Sequence, residues 1–152
     1  RRAWREFRSG RRAPLRANPG YAAANNQAAL HHAAAAAEWL MFLNDDLVLM
    51  PNCLQSLLSL ALMREQRFHD AGAVGCKLLN ANGSAVEQAG GIVWRDGSTL
   101  GYGRGQDPGS SDFSFARRVD YIAGACFLVQ RQIFAKEHGF EAEAYEAYYE
   151  DT

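Results

Sequence analysis

The chain has 152 residues, of which 48% are hydrophobic and 22% are charged, and its net charge is −1 at pH 7. These values are typical of one soluble globular domain of mixed type. The sequence has no run of about eighteen apolar residues and no signal-peptide pattern, so it predicts no membrane-spanning segment.

Positive charge is concentrated at the start of the chain. Residues 1–16 hold seven arginines and one acidic residue, so they carry about +6 and leave about −7 for the remainder. An exposed helix face is the commoner origin of such a cluster, and an acidic partner such as phosphate or anionic lipid is the alternative. We expect no nucleic-acid binding, because only Trp4 and Phe7 lie among these arginines to stack on bases.

Hydrophobic spacing and turn residues predict alternating helices and strands. The predicted elements are, in order, a basic helix at 1–9, a strand at 13–16, a helix at 22–37, a strand at 38–43, a helix from 51 to 62, a strand at 73–79, a β-ribbon and loop region at 80–118, a strand at 119–130 and a helix at 133–138. The order strand, helix, strand over 38–79 predicts two adjacent parallel strands with a right-handed crossover. The fold class indicated is α/β.

Local patterns support these elements. The segment 22–37 is rich in alanine, the residue with the highest helix propensity. In the helix at 51–62, leucine and alanine recur at spacings of three and four and form one apolar stripe. The stripe consists of Leu54, Leu57, Leu58, Ala61 and Leu62. Asn82-Gly83 and Asp96-Gly97 are pairs typical of hairpin turns.

The three cysteines are odd in number, widely spaced and set among apolar residues. This pattern indicates neither a disulfide framework nor a zinc knuckle. We therefore expect Cys53, Cys76 and Cys126 to be buried core residues of a protein in a reducing compartment.

A first acidic cluster, Asn44-Asp45-Asp46, directly follows the predicted strand at 38–43. Open α/β sheets bind ligands where their strands end, and this all-oxygen set suits Mg²⁺ or Mn²⁺ rather than zinc. Neighbouring strand residues point to opposite faces, so both carboxylates can share a cation only if the strand has already ended in a turn. A solvated loop in which an aspartate caps the next helix is the alternative interpretation.

A second acidic pair, Glu150 and Asp151, lies near the end of the chain among aromatic residues. Aromatic rings can partly desolvate a carboxylate and raise its proton affinity toward that of a working general base. The residues concerned are Phe140, Tyr145, Tyr148 and Tyr149. They also suit the apolar faces of sugar rings, and packing into the core is equally available to them.

Five ordered matches resemble the family 2 glycosyltransferases, the inverting enzymes of the GT-A type, and particularly their rhamnosyltransferase-like branch, which builds bacterial polysaccharides. The matching segments are NPGYAAANN at 18–26, FLNDD at 42–46, GYGRGQD at 101–107, VDYIAGAC at 119–126, and the closing GFE at 139–141 with YYED at 148–151. FLNDD resembles the DxD-type metal motif, with Asn44 in place of its first aspartate. Glu141 replaces the usual aspartate, and His138 stands where glycine is common.

The resemblance implies one partial GT-A domain over residues 1–152, with a mostly parallel sheet flanked by helices and a β-ribbon and loop insertion. Residues 1–50 would be the remainder of the nucleotide- and metal-binding half, and residues 51–152 the acceptor-side half. The N-terminal strands of the nucleotide-binding half would be missing, so the resemblance implies an internal fragment of a longer enzyme. We expect such an isolated fragment to bind donor poorly or not at all and to be inactive on its own.

The resemblance also implies roles for individual residues. Asp46 would contact the metal, Asp45 would lie near the sugar nucleotide, and Asp151, next to Glu150, would be the general base. The other substrate-binding positions implied are Asn18, Gly20, Asn26, Gly124 and Ala125. Gly124 and Ala125 would leave room for the acceptor.

The implied reaction moves a sugar from a nucleotide-diphosphate sugar to a hydroxyl of a saccharide or lipid-linked saccharide. Mg²⁺ or Mn²⁺ would neutralise the leaving diphosphate, while the base takes the proton of the attacking hydroxyl. One displacement inverts the anomeric centre without a covalent intermediate. The expected location is the cytoplasm, where the N-terminal arginines could contact the inner face of the plasma membrane.

Two other classes of protein stay open from the sequence. A different metal-dependent enzyme of nucleotides or phosphates, such as a nucleotidyltransferase or a pyrophosphatase, would use the same acidic triplet. A non-catalytic carbohydrate-binding relative would keep the fold and lose turnover. The phosphate product distinguishes the first class from sugar transfer, and the effect of Asp151→Asn distinguishes the second.

Overall fold

The computed structural model describes residues 19–30, 36–67 and 72–143. Its elements are α1 (Tyr21–Leu30), β1 (Trp39–Leu43), α2 (Cys53–Arg67), β2 (Ala73–Gly75), β3 (Leu78–Leu79), β4 (Val86–Gln88), β5 (Gly91–Val93), β6 (Thr99–Gly101), a 3-10 helix (Ser111–Phe113), β7 (Cys126–Gln130) and α3 (Arg131–Lys136). The elements predicted at 1–9 and 13–16 lie outside the described residues. None of the described helices is long and apolar enough to cross a membrane.

Within the described ranges, the central sheet has three strands in the order β1, β7, β2. β7 pairs antiparallel with both neighbours, with Leu43 of β1 opposite Cys126 and Gly75 of β2 opposite Phe127. β1 and β2 therefore run in the same direction without being neighbours. The prediction of two adjacent parallel strands is wrong, because β7, with four consecutive buried residues, takes the position between them. All strand pairs among the described residues are antiparallel, and the mostly parallel GT-A sheet stays a prediction.

One face of this sheet packs against α2. The buried members of this core cluster are Leu57, Ala61, Val74, Cys126 and Leu128. Only part of the predicted stripe of α2 is covered, since Leu54 and Leu62 are 39% and 58% exposed. Both residues lie outside the cluster that α2 forms with the three described strands of this sheet.

The opposite face holds an aromatic cluster that packs against α3 and the residues after it. Phe42 stacks on Phe127 with ring centroids 5.0 Å apart, and it meets Phe134 and Phe140 at the same distance. Fully burying one such side chain contributes about 1.5–3 kcal/mol. The cluster therefore fixes α3 and Phe140 against the sheet.

The middle of the chain forms two antiparallel hairpins, β3 with β4 and β5 with β6. Their turns contain Gly83 and Gly97, whose φ values of 72° and 82° lie in the region that favours glycine. The β-ribbon predicted from the Asn-Gly and Asp-Gly pairs is thus confirmed. The strand predicted at 73–79 is divided, because β2 belongs to the central sheet and β3 to the first hairpin.

The other predicted elements have different bounds in the structure. The helix predicted at 22–37 is observed at Tyr21–Leu30, and residues 31–35 lie outside the described residues. The strand predicted at 119–130 begins only at Cys126. α3 begins and ends two residues earlier than predicted, and Gly139, with a φ of 81°, donates its N–H back to the Phe134 carbonyl after the helix ends.

Candidate functional site

The acidic turn, which we define as residues 44–46, lies at the edge of the sheet where β1 ends and β7 begins. β1 ends at Leu43, and Asp45 and Asp46 occupy an exposed turn. Because the strand has ended before them, their carboxylates are not held on opposite faces of a sheet. The backbone N–H of Asn44 donates to the carbonyl of Ala125 at 2.9 Å. The acidic turn is therefore joined directly to the segment that precedes β7.

The segment before β7 also contacts α1. The hydroxyl of Tyr21 donates to the carbonyl of Gly124 at 2.7 Å. Gly20 directly precedes Tyr21 and has a φ of 85°, which glycine adopts without strain. Gly124 is buried and Ala125 is half-buried. Hydrogen bonds thus connect the segment that holds positions 124 and 125 with the acidic turn and with Tyr21, the residue after Gly20.

The side chain of Asn26 is bonded at both ends of its amide to the backbone of Phe140. Its Nδ2 donates to the Phe140 carbonyl at 2.8 Å, and its Oδ1 accepts from the Phe140 N–H at 2.9 Å. Gly139 makes room for this contact, since a Cβ atom there would overlap Asn26 Oδ1. The amide therefore clamps α1 to the residues that follow α3. A substrate contact of Asn26 stays a prediction.

Three predicted site residues, Asn18, Glu150 and Asp151, lie outside the described residues, so their roles stay predictions. The start of the C-terminal segment is held by Phe140, whose ring lies 5.6 Å from that of Tyr21 and 5.0 Å from that of Phe42. Phe42 belongs to β1, the strand that ends in the acidic turn. The segment that leads toward residues 150 and 151 therefore starts against this strand.

Residues 119–123 pack against three glycines and lie outside the strands of the central sheet. A Cβ atom on any of these glycines would overlap a side chain of the segment. The pairs are Gly75 with Ile122, Gly90 with Val119, and Gly91 with Tyr121. Sequence reasoning identified only Gly124 here. The adjacent glycines at 90 and 91 were the available signal, because glycine beside a strand often marks a close backbone approach.

The glycine-rich motif at 101–107 packs into the ribbon region. The Tyr102 N–H donates to the Gly90 carbonyl at 2.9 Å, and the Tyr102 carbonyl accepts from the Ala89 N–H at 2.9 Å. The Tyr102 ring lies 5.5 Å from the Phe113 ring and 4.3 Å from the Arg117 guanidinium. The second distance is that of a cation–π contact. The motif is thus anchored by its own tyrosine.

The three cysteines also converge in space, with their Sγ atoms all within 4.8 Å of one another. Cys126 is buried, as predicted, whereas Cys53 and Cys76 are half-buried. Burial raises the pKa of the Cys76 thiol, and the neighbouring Cys126 and Cys53 thiols raise it further. Burial also raises the pKa of Cys126. Sequence reasoning missed this cluster because long stretches of chain separate its members.

Comparison with known proteins identifies a distant relative. Over 127 residues the chain is 35% identical to a protein of Myxococcus xanthus named O-antigen biosynthesis protein RfbC. The match covers 80% of this chain and 9% of that protein, so the chain resembles one small part of it. No protein-family profile matches the chain. No solved structure matches it.

Proposed function

We propose that the chain is part of an inverting glycosyltransferase of the GT-A type that works in the synthesis of cell-surface polysaccharide. The similarity to a protein named for O-antigen biosynthesis supports the biological process. The family 2 motifs support the reaction type. Together they favour a sugar nucleotide as donor and a saccharide or lipid-linked saccharide as acceptor.

The observation that carries the proposal is the hydrogen bond from the Asn44 N–H to the Ala125 carbonyl. It holds the acidic turn beside the small residues Gly124 and Ala125. Sugar transfer needs the donor diphosphate and the acceptor hydroxyl at one place. The bond couples the two motifs to which the resemblance assigns those partners.

Asp45 and Asp46 fit Mg²⁺ or Mn²⁺, because both are exposed oxygen donors on a turn and these cations need few protein carboxylates. Asp46 would hold the cation and Asp45 would orient the sugar nucleotide. When bound, the cation supplies Lewis-acid stabilisation of the leaving diphosphate. Asp151 would take the proton of the acceptor hydroxyl, and the small side chains at 124 and 125 would leave space for the acceptor.

The test is release of nucleoside diphosphate from a panel of sugar nucleotides, measured in the longer enzyme that the resemblance predicts. We expect Asp46→Asn and Asp151→Asn each to lower the rate by on the order of a hundredfold, the scale of losing one group that acts on the transition state. Asp112→Asn is the matched control, because Asp112 is an exposed aspartate on the 3-10 helix of the ribbon region. It should leave the rate unchanged.

The rival metal-dependent phosphate enzyme draws support from the same exposed carboxylates of the acidic turn. It predicts pyrophosphate or orthophosphate as the product instead of nucleoside diphosphate. Sugar binding that persists with no release of any phosphate product would favour the non-catalytic relative. Either outcome would contradict the glycosyltransferase proposal.

A further inference from the structure

The three cysteines lie on three different elements that meet at one end of the core beneath α2. Cys53 is the first residue of α2, Cys76 follows β2, and Cys126 begins β7. Their Sγ atoms are all within 4.8 Å of one another. The Cys76 Sγ also lies 3.6 Å from the Cys126 carbonyl, to which it donates. The cluster is thus a contact among elements that are distant in sequence.

The strand register explains why two of these residues meet. Gly75 is opposite Phe127 in the antiparallel pair of β2 and β7. One residue further along this register, Cys76 is opposite Cys126. Cys126 and Leu128 belong to the core cluster that faces α2, since alternate residues of a strand share a face. Cys53 begins the helix that covers this face and therefore completes the group.

We propose that Cys53, Cys76 and Cys126 form a binding site for a thiophilic divalent cation of the Zn²⁺ class. Zinc binds thiolate sulfur at about 2.3 Å in tetrahedral geometry, which places ligand sulfurs about 3.8 Å apart. The observed limit of 4.8 Å requires each pair to approach by at most about 1 Å. A disulfide requires a sulfur separation of about 2.05 Å and joins only two residues. All three cysteines are free, and a shared cation would use all three sulfurs, whereas a disulfide would leave one thiol out.

Charge and ligand type select the class of cation. Three thiolates carry three negative charges, so a divalent cation leaves one charge uncompensated and a monovalent cation leaves two. Because uncompensated charge is costly in a largely apolar core, the divalent cation is favoured. Soft sulfur ligands prefer zinc over Mg²⁺ and Mn²⁺. The cysteine site is thus chemically distinct from the oxygen ligands of the acidic turn and does not depend on the proposed sugar transfer.

The exposure of the cluster allows a cation to enter. Cys53 and Cys76 are half-buried, whereas Cys126 is only 2% exposed. A cation would contact the thiols of Cys53 and Cys76 first and the thiol of Cys126 last. Three protein ligands leave a fourth position of the tetrahedron for water or another ligand.

The cysteine cluster lies next to the acidic turn in the central sheet. Cys126 lies opposite Leu43, the last residue of β1. The carbonyl of its neighbour Ala125 accepts a hydrogen bond from the Asn44 N–H. Because the three thiols converge only in the folded chain, a cation that binds them should raise the Tm in a manner that depends on cation concentration.

Cd²⁺ is a suitable probe, because it is a thiophilic divalent cation whose thiolate complexes absorb in the ultraviolet. The reduced, chelator-treated chain should bind one Cd²⁺ with a thiolate charge-transfer band, and Zn²⁺ should displace it. Cys53→Ser and Cys76→Ser should each weaken binding at least about a hundredfold, beyond the range expected from changes outside the ligand set. Asp112→Asn, at an exposed position on the 3-10 helix, is the matched control and should leave the band unchanged. Absence of the band in the folded reduced chain, or affinity unchanged in either serine variant, would overturn the proposal.

A second measurement needs no variant. Mass spectrometry after alkylation counts the reactive thiols of the folded wild-type chain with and without one equivalent of Zn²⁺. Because Cys126 is only 2% exposed, Cys53 and Cys76 are the informative thiols, and we expect Zn²⁺ to slow the modification of both together. Protection of only one of these two thiols, or of neither, would overturn a site that uses the whole cluster.

Discussion

Replacement of Asn26 by alanine tests the clamp between α1 and the residues after α3. The change removes the hydrogen bond that Nδ2 donates to Phe140 and the one that Oδ1 accepts from it. One such bond contributes about 0.5–1.5 kcal/mol net, so Asn26→Ala should lower the free energy of unfolding by about 2 kcal/mol. In a chain of this length, that corresponds to a fall in Tm of about 4–8 °C.

Asn25 offers a matched control on the same helix. Its Nδ2 donates to the carbonyl of Tyr21, one helical turn earlier, at 3.0 Å. Alanine has the higher helix propensity, which offsets part of this loss. Asn25→Ala should change the free energy of unfolding by less than about 0.5 kcal/mol. Urea unfolding followed by circular dichroism gives both values, provided that the dependence on denaturant has the same slope in each variant.

Asn26→Asp separates the two hydrogen bonds of the clamp. Aspartate keeps an oxygen that accepts from the Phe140 N–H, but its ionised form has no donor for the Phe140 carbonyl. At pH 7 this variant should be at least as unstable as Asn26→Ala, because it sets a negative charge against a carbonyl oxygen. Equal stabilities of Asn26→Ala and Asn25→Ala would refute the clamp.

Two further measurements test the ribbon region. Gly91→Ala would place a Cβ atom in the Tyr121 ring, so the free energy of unfolding should fall by about 1–3 kcal/mol. Gly72→Ala, whose Cβ atom would meet Ile133 at an ordinary 3.9 Å, serves as control, and equal stability of the two variants would contradict the packing. Asp96 accepts hydrogen bonds from the Ser98 hydroxyl and N–H, which lower the pKa of its carboxyl, so an NMR titration should give a midpoint below 3.8. The pKa of Asp96 is lower in the folded chain than in the unfolded chain. Its hydrogen bonds therefore stabilise the fold above the ordinary pKa of aspartate, and this stabilisation is lost as the pH falls through the lowered value. Ser98→Ala should move the midpoint upward, and a wild-type midpoint at or above 3.8 would contradict the turn geometry.

Local sequence signals predicted local structure well. Asn82-Gly83 and Asp96-Gly97 set hairpin turns, because a turn depends on the conformations of adjacent residues. The change from apolar to acidic residues also predicted that β1 ends before Asp45. These features need no knowledge of distant parts of the chain.

Features that depend on distant contacts were not predictable in the same way. β7 lies between β1 and β2 because it takes the most buried position of the sheet. The hydrophobic pattern of a sequence does not show which of several apolar strands will take that position. The segment before β7 has apolar strand character, yet it packs against glycines that lie far earlier in the chain. The cysteine cluster is another case, because its members meet only once the sheet has its final register.

The central place of β7 has a consequence for how the chain is made. β7 is the last of the described strands in chain order, and β1 and β2 each pair with it in the central sheet. During synthesis at about 5–20 residues per second, β7 therefore leaves the ribosome on the order of ten seconds after β1. Through that interval the apolar side chains of β1 and α2 have no completed core to enter. Chaperones that shield nascent chains would therefore bind in the stretch from β1 to α2.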